Sequence, residues 1–324
     1  MSFRTRKPLH LAVALIALDA CSSGTEPKLS TNGKTHPSGV IAATVPVGAR
    51  PYGIALWGST ATVTQLDAAQ VVRLDISTAR VLDSIKVGSV PTGITVFASG
   101  TAAAVTNQFD DDVQFLDLTT KSSTAIVGGP STTFRVLPSL DEKHLYATAT
   151  SGSLGVISLP GHAIESSVAV GTAANGLALS PDGKTLYVTS MGGGISVVNT
   201  TTNSLTRTIA LTGVLQDIAV SPDGGELYVA DEASGNIHVV DAASGAIRTD
   251  IPMGGGVFGL TLSPDGKQLY ATGAGSGMIW IVDRGSRAKV GSISVGGAPR
   301  RVAFDETGST AVVSNEAGFV TIIH

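Results

Sequence analysis

A stretch of about forty residues recurs seven times along this chain, and this recurrence governs every other expectation. Each copy contains an apolar residue, a glycine, a short loop, an apolar run, a turn and a second apolar run. The anchor glycines lie 40 to 43 residues apart, at Gly48, Gly88, Gly128, Gly171, Gly213, Gly255 and Gly296. Because a unit this short cannot bury its apolar face alone, the copies must pack against one another.

The fourth copy shows its strands most plainly. Apolar or β-branched runs at Gly176–Leu179, Leu186–Thr189, Ile195–Val198 and Leu205–Ile209 predict strands A, B, C and D. Between the first two runs lies Ser180–Gly183, whose Pro-Asp-Gly sequence favours a tight turn because proline presets φ and glycine supplies a positive φ. Four such strands in each of seven repeats predict an all-β, seven-bladed β-propeller with four antiparallel strands per blade.

The two ends of the chain are predicted to complete one blade together. The last copy has only three strand-forming runs, ending with Phe319–Ile323, whereas Val40–Pro46 matches the D-strand pattern. We therefore expect this N-terminal strand to pair with the last strand and close the ring, which removes exposed strand edges. Burial of Val40, Ile41 and Val45 should stabilise the closure.

Phrases inside the repeats resemble those of YVTN-type β-propeller proteins. The copies of the Tyr-Val-Thr-Asn phrase are Tyr187-Val188-Thr189-Ser190, Tyr228-Val229-Ala230-Asp231 and the weaker Val312-Val313-Ser314-Asn315. The copies of the Val-Ile-Asp-Thr-Ala phrase are Val239-Val240-Asp241-Ala242-Ala243 and Leu74-Asp75-Ile76-Ser77-Thr78. The resemblance covers nearly all of residues 40–324 and implies the propeller fold. It implies little about function, since one fold hosts many activities.

The third copy departs most from the common pattern, at two turns. Leu140-Asp141-Glu142 stands where other copies have Pro-Asp-Gly, and Ser158-Leu159-Pro160-Gly161 replaces the Asp-Thr-Ala turn.

Residues 1–20 are predicted to be a secretory signal. A basic start is followed by the apolar run Leu9–Leu18, which is too short to span a bilayer as a stable helix. Leu18-Asp19-Ala20-Cys21 resembles a bacterial lipobox, although Asp19 stands where a small residue is usual. The alternative is an ordinary cleaved signal. We expect lipidated Cys21, a flexible tether over residues 21–39 and the propeller over 40–324. This organisation predicts an outer-membrane lipoprotein facing the periplasm or the surface.

Composition excludes several classes of protein. The formal net charge is −4, and the chain has no basic stretch beyond the N-terminus, so nucleic-acid binding is not expected. A single cysteine excludes a disulfide scaffold and a cysteine-built metal site, and the absence of C-x-x-C-H excludes c-type haem. We therefore expect no cofactor and no metal, a monomer, and contact with the membrane through the lipid anchor only.

Aligning the copies on strand A predicts which side chains meet at the channel mouth. The first position is occupied by Tyr52, Thr92, Phe134, Asn175, Gln216, Phe258 and Arg300, and the next by Gly53, Gly93, Arg135, Gly176, Asp217, Gly259 and Arg301. Three aromatics and three arginines in one funnel fit an anionic or planar ligand. The candidate ligand-binding residues are Tyr52, Phe134, Arg135, Gln216, Asp217, Phe258, Arg300 and Arg301. The plainer alternative is that arginine–aspartate pairs fill the channel together with water.

No catalytic residue is identified, and catalysis is not the favoured role. The histidines fall outside the expected mouth, and no G-x-S-x-G elbow occurs. Quinone-dependent propeller dehydrogenases have Trp-rich repeats, whereas this chain has two tryptophans. Asp110-Asp111-Asp112 lacks the alternating spacing of a calcium loop and reads as a solvated turn. We predict a lipid-anchored envelope scaffold that binds an envelope protein or a small anionic ligand. The alternative is a lactonase-like hydrolase that uses arginine and carboxylate groups at the mouth.

Overall fold

A computed structural model describes residue 31 and residues 33–324. The predicted signal, the predicted lipidation site Cys21 and most of the predicted tether lie outside these residues. The strands are β1 (Ile41–Pro46), β2 (Pro51–Trp57), β3 (Thr60–Gln65), β4 (Gln70–Asp75), β5 (Arg80–Lys86), β6 (Pro91–Val96), β7 (Ala102–Asn107), β8 (Asp112–Asp117), β9 (Ser122–Gly128), β10 (Thr133–Pro138), β11 (His144–Ala149), β12 (Ser153–Ser158), β13 (Ala163–Ala169), β14 (Ala174–Leu179), β15 (Thr185–Ser190), β16 (Ile195–Asn199), β17 (Ser204–Ile209), β18 (Leu215–Val220), β19 (Glu226–Asp231), β20 (Asn236–Asp241), β21 (Ile247–Pro252), β22 (Leu260–Leu262), β23 (Gln268–Gly273), β24 (Met278–Asp283), β25 (Ala288–Ser294), β26 (Pro299–Phe304), β27 (Ala311–Asn315) and β28 (Phe319–Ile323).

These strands form seven sheets of four antiparallel strands, which confirms the predicted seven-bladed propeller. In blades one to six, four consecutive strands A to D make one sheet, beginning with β2–β5. We call the face formed by the D–A and B–C loops the mouth face, and the face formed by the A–B and C–D turns the turn face. Within the described residues, no helix is long and apolar enough to cross a membrane.

The seventh blade is completed by the N-terminal strand, as the sequence predicts. Its sheet order is β1-β28-β27-β26, and β1 pairs antiparallel with β28 from Ile41↔Ile323 to Pro46↔Phe319. The expected burial of three aliphatic side chains is wrong for two of them. Val45 is 5% exposed, whereas Val40 and Ile41 are 62% and 40% exposed. The reason is that the D strand is outermost in its blade, so only the part that reaches the next blade is covered.

The core lies between adjacent blades rather than within one of them. One cluster joins Tyr228 and Ile237 of blade five to Leu260 and Trp280 of blade six. Comparable clusters occupy the other interfaces, and Tyr228 is fully buried in its cluster. Each blade therefore buries its apolar surface against its neighbours, which is the arrangement that holds a ring rigid.

Part of the predicted tether lies against the turn face. The Thr35 backbone N–H donates to the Thr307 oxygen at 2.8 Å, and His36 Nδ1 lies 2.8 Å from Asp265 Oδ2. The Tyr270 hydroxyl donates to the Pro37 carbonyl at 3.3 Å. The described chain therefore enters the ring along the turn face of blades six and seven.

Candidate functional site

A register shift near the start of strand A creates the channel lining in the blades where it occurs. In blade one the pairing of β2 with β3 passes from Pro51 to Ile54, which leaves Tyr52 and Gly53 out of the ladder. The freed Gly53 N–H donates to the Thr64 side-chain oxygen at 2.8 Å. Hydroxyl oxygens of strand B accept the corresponding amide in blades two, three, four, six and seven as well. The threonine of the Tyr-Val-Thr phrase is therefore structural: it holds the bulge that aims side chains into the channel.

Three aromatic rings close the channel at the mouth face. Tyr52 of blade one lies edge-on to Phe134 of blade three, with ring centroids 5.9 Å apart, and to Phe258 of blade six at 6.1 Å. Their exposed fractions are 7%, 9% and 5%. Because these blades are not neighbours, the contacts cross the ring axis. We call this cluster the aromatic plug.

Two polar side chains near the aromatic plug, Arg300 and Gln216, are already partnered. The Arg300 guanidinium lies 4.3 Å from the Phe258 ring centroid, and its Nε donates to Glu316 at 2.5 Å. On another side, Gln216 Nε2 donates to Glu232 at 2.5 Å. Arg300 and Gln216 are thus held on the rim by carboxylates, and neither lines the channel cavity.

Beneath the plug, two arginines share one carboxylate. Arg301 Nη1 donates to Asp217 Oδ2 at 2.6 Å, and the Leu260 N–H donates to the same oxygen at 3.0 Å. Arg135 Nη2 lies 3.6 Å from Asp217 Oδ1, an ion-pair distance. Arg135, Asp217 and Arg301 come from blades three, five and seven and meet inside the ring. We call this group the channel triad.

Glycine occupies the triad's position in the other blades because the strand A backbones crowd one another. A Cβ on Gly259 would lie 2.2 Å from the Arg300 carbonyl oxygen, well inside contact distance. The blades that carry arginine or aspartate here must therefore accommodate a side chain where the fold favours none.

The channel triad carries a net positive charge that the protein does not fully compensate. Arg301 is 6% exposed, yet its Nε and Nη2 have no hydrogen-bond partner among the described residues, and Asp217 Oδ1 also lacks one. Burial, reinforced by the nearby Arg301 charge and only partly offset by Asp217, lowers the pKa of Arg135 to about 10. Burial also raises the pKa of Tyr52, although the arginines oppose that effect. Unpartnered buried donors are rare because each costs the desolvation of a polar group.

A cavity of about 70 Å³ adjoins the triad. Its lining includes Arg135, Asp217 and Arg301 with aliphatic side chains such as Ile54 and Val302. Ile54 and Val302 are partly exposed, whereas the plug above them is buried, so the cavity is reached from the turn face.

The sequence placed all eight candidate residues in one funnel at the mouth face. The structure brings the triad together inside the ring and assigns Tyr52, Phe134 and Phe258 to the plug and Gln216 and Arg300 to its rim.

His238, one of the histidines that the sequence places outside the mouth, has partners in the scaffold. His238 Nδ1 lies 2.7 Å from Asp250 Oδ1, and its Nε2 lies 3.3 Å from Asp231 Oδ2, so this buried ring is clamped between carboxylates. None of the described histidines lines the channel cavity.

The three consecutive aspartates serve different loops. Asp110 accepts the Ser89 N–H at 2.6 Å, Asp111 accepts the Thr132 N–H at 2.5 Å, and Asp112 accepts the Asn107 side-chain amide at 2.7 Å. No cluster of three or more metal-ligating side chains occurs in the described part of the chain.

Comparisons with known proteins identify the fold and no family. No family model matches the chain, and no curated protein sequence matches it. A chain from a structure of Kuenenia stuttgartiensis hydrazine synthase aligns with a TM-score of 0.79 and 18% identity, over 90% of this chain and 99% of that one. At this identity the similarity supports the propeller fold alone. The function must be argued from the channel and the surface.

Proposed function

We propose that this protein is a binding protein whose rigid ring holds a small anion in the channel. The observation that carries the proposal is the Arg301 guanidinium, which is buried beside a cavity with two donor nitrogens unpartnered. An anion there would accept those N–H groups and offset the net charge of the channel triad. Guanidinium groups favour planar oxyanions, which can take two parallel hydrogen bonds.

The size of the cavity supports a small ligand. A volume of about 70 Å³ is far below the roughly 300–1,000 Å³ typical of pockets for larger organic molecules. Formate, nitrate, phosphate or a carboxylate end group are the chemical types that suit it. The same size argues against the lactonase-like alternative, since a lactone ring and an attacking water need more room beside the triad. A lactone-hydrolysis assay in which Arg301→Lys abolished turnover would reverse this preference.

Thermal unfolding tests the proposal with formate, nitrate and phosphate at constant ionic strength. An anion at one hundred times its Kd stabilises the folded state by about 2.7 kcal/mol, which raises the Tm of a domain this large by roughly 5 °C. Arg301→Met should abolish the rise. Arg301→Lys, which keeps the charge but loses the planar fork, should remove the preference for formate and nitrate over chloride. The matched control is Arg80→Met, at an exposed arginine of an outer strand. An unresponsive wild-type protein, or an Arg301→Met variant that responds normally, would overturn the proposal.

We further propose that lipidated Cys21 anchors the ring at the outer membrane, where the closed mouth face offers a rigid surface to an envelope protein. The sole cysteine of the chain lies at the lipobox-like Leu18–Cys21 segment, and the repeats that resemble YVTN-type proteins support membership of that group. Cys21→Ser should move the protein from the membrane fraction to the soluble fraction, with Ser22→Ala as the control. Retention of the Cys21→Ser protein in the membrane would place the anchor elsewhere.

A further inference from the structure

A second cavity lies on the turn face, between blades two and three. Its volume is about 470 Å³, within the range of roughly 300–1,000 Å³ that small organic ligands occupy. Phe97, Phe115 and Leu159 supply its apolar lining, and Glu142, Asp117 and His162 supply its ionisable groups. We call it the blade two–three pocket. It is separate from the channel triad, and the proposed anion site does not use it.

Both departures of the third repeat from the common pattern contribute to this pocket. Glu142 occupies a left-handed position, with φ +50°, in its A–B turn. The corresponding residues of blades two and four to seven are glycines, namely Gly100, Gly183, Gly224, Gly266 and Gly308. A glutamate at this position loses the conformational freedom that glycine provides there. Glu142 lines the pocket, so a residue that this turn does not favour lies where it can contact a ligand.

His162 lies in the C–D turn of the same blade. Its φ is +46°, and the matching residues of the other blades are left-handed as well, namely Ala79, Lys121, Asn203, Gly245 and Arg287, so the conformation is common to these turns and only the imidazole is particular to blade three. The Asp-Thr-Ala turns of other blades are held by an aspartate such as Asp117, which accepts the Thr119 N–H at 2.7 Å. Ser158 stands at that position in blade three. The turn has thus given up its usual cap and carries an imidazole at the edge of the pocket.

The pocket wall is a row of nearly parallel rings. The His162 and Phe115 ring centroids lie 4.3 Å apart with an interplanar angle of 29°, and Phe97 and Phe115 lie 6.4 Å apart at 9°. Phe97 and Phe115 are 8% and 3% exposed, so neighbouring side chains fix their orientation. His162 is the exposed ring of this stack, so a planar aromatic ligand can lie against it.

The charge of the lining selects the sign of the ligand. Glu142 Oε1 accepts the Ala98 N–H at 2.7 Å, which holds this carboxylate at the pocket. Backbone N–H groups of Thr120 and Thr119 lower the pKa of Asp117, so that carboxylate is charged at neutral pH. Among the residues that the structure describes, no lysine or arginine lines this pocket. Two carboxylates beside aromatic rings form an environment in which a cation is attracted by both charge and ring faces.

We propose that the blade two–three pocket binds a planar aromatic amine in its protonated form. The aromatic part lies against His162, which is supported from below by Phe115, and the ammonium group lies toward Glu142 and Asp117. This assignment rests on the cavity, the ring geometry and the two carboxylates.

Isothermal titration of the full chain with tryptamine tests the proposal. Indole-3-acetate, which has the same ring and the opposite charge, and butylamine, which has the charge without the ring, serve as comparison ligands. The wild-type protein should bind tryptamine at least tenfold more tightly than either. Glu142→Gly restores the residue of the other blades, and His162→Asn installs the residue of blade four, so both variants should fold. Each should weaken tryptamine binding at least tenfold.

The matched control is Glu306→Gln, at an exposed carboxylate in the corresponding turn of blade seven. It should bind tryptamine as the wild-type protein does. Equal binding by Glu142→Gly and wild type, equal binding of butylamine and tryptamine, or no tryptamine binding at all would each overturn the proposal. None of these results bears on the channel anion, whose test depends on Arg301.

Discussion

Substitution of Val45 measures how much the closing strand contributes to the stability of the ring. Val45 is 5% exposed and packs in a cluster with Val72, Leu74, Val320 and Ile322. Val45→Ala removes two methyl groups, which at about 0.8 kcal/mol each gives about 1.6 kcal/mol of lost burial. The unfilled space adds to this loss, so we expect about 2 kcal/mol of destabilisation. For a domain of this size the Tm should fall by about 4 °C or more.

The control for this experiment lies in the same part of the chain. Val40→Ala removes the same two methyl groups, but Val40 is 62% exposed, so its effect on stability should stay within about 0.5 kcal/mol. Differential scanning calorimetry of both variants and the wild-type protein gives the comparison directly. The reasoning fails if Val45→Ala melts with the wild-type protein, or if both variants lose the same stability. Either result would mean that burial of Val45 does not stabilise the closure of the ring.

Three further substitutions test the channel and the turn face. Gly259→Ala places a Cβ 2.2 Å from a backbone oxygen and should destabilise the ring by about 1–3 kcal/mol in urea unfolding, whereas Gly128→Ala, whose Cβ meets nothing within 4 Å, should be neutral or slightly stabilising; equal effects would contradict the crowding argument. Burial disfavours the ionised form of Glu226, but side-chain hydrogen bonds from Tyr228 and Arg248 outweigh burial and lower its pKa. Glu226→Gln should therefore be less stable than the wild-type protein above pH 4.5, and the difference should shrink as the pH falls. A pH-independent difference would contradict this. Arg135→Met removes a guanidinium whose pKa burial lowers to about 10, and Asp217 keeps its ion pair with Arg301. At low ionic strength the variant should therefore be more stable than the wild-type protein at pH 7 by about 1–2 kcal/mol. Destabilisation would show that the charge of Arg135 is better compensated than its surroundings indicate.

The parts of the fold that could be predicted depend on interactions close in sequence. In the turn of blade five, Asp223 Oδ1 accepts the Ser221 hydroxyl and the Gly225 N–H, and Gly224 adopts φ +74°. Every one of these contacts joins residues at most two positions apart, so the residue types alone specify the turn. Repetition of that turn at a fixed interval then determines the number of blades and the pairing of the chain ends.

The open end of the channel could not be predicted, because it depends on contacts across the ring. Tyr52 and Phe134 are far apart in sequence, and whether their rings meet depends on the channel diameter and on side-chain size together. The alignment therefore identified which residues face the axis, including Arg301, but not that the aromatic layer seals the mouth face. The blade two–three pocket had a signal in the sequence, since blade three breaks the repeat at Glu142. Only the packed structure shows that this break and the one near His162 reach the same cavity.

In a repeat protein, comparison of equivalent positions shows which residue the fold favours at each of them. Where one blade gives up that residue for one that is harder to accommodate, the scaffold alone does not explain the choice. Four such positions stand out here: Arg135, Asp217 and Arg301 replace the crowded glycine, and Glu142 takes a left-handed position that is glycine in five other blades. The first three line the channel cavity, and Glu142 lines the blade two–three pocket. Because the turn and the strand A backbone do not require these residues, they are the positions at which the ligand-binding tests should show the largest effects.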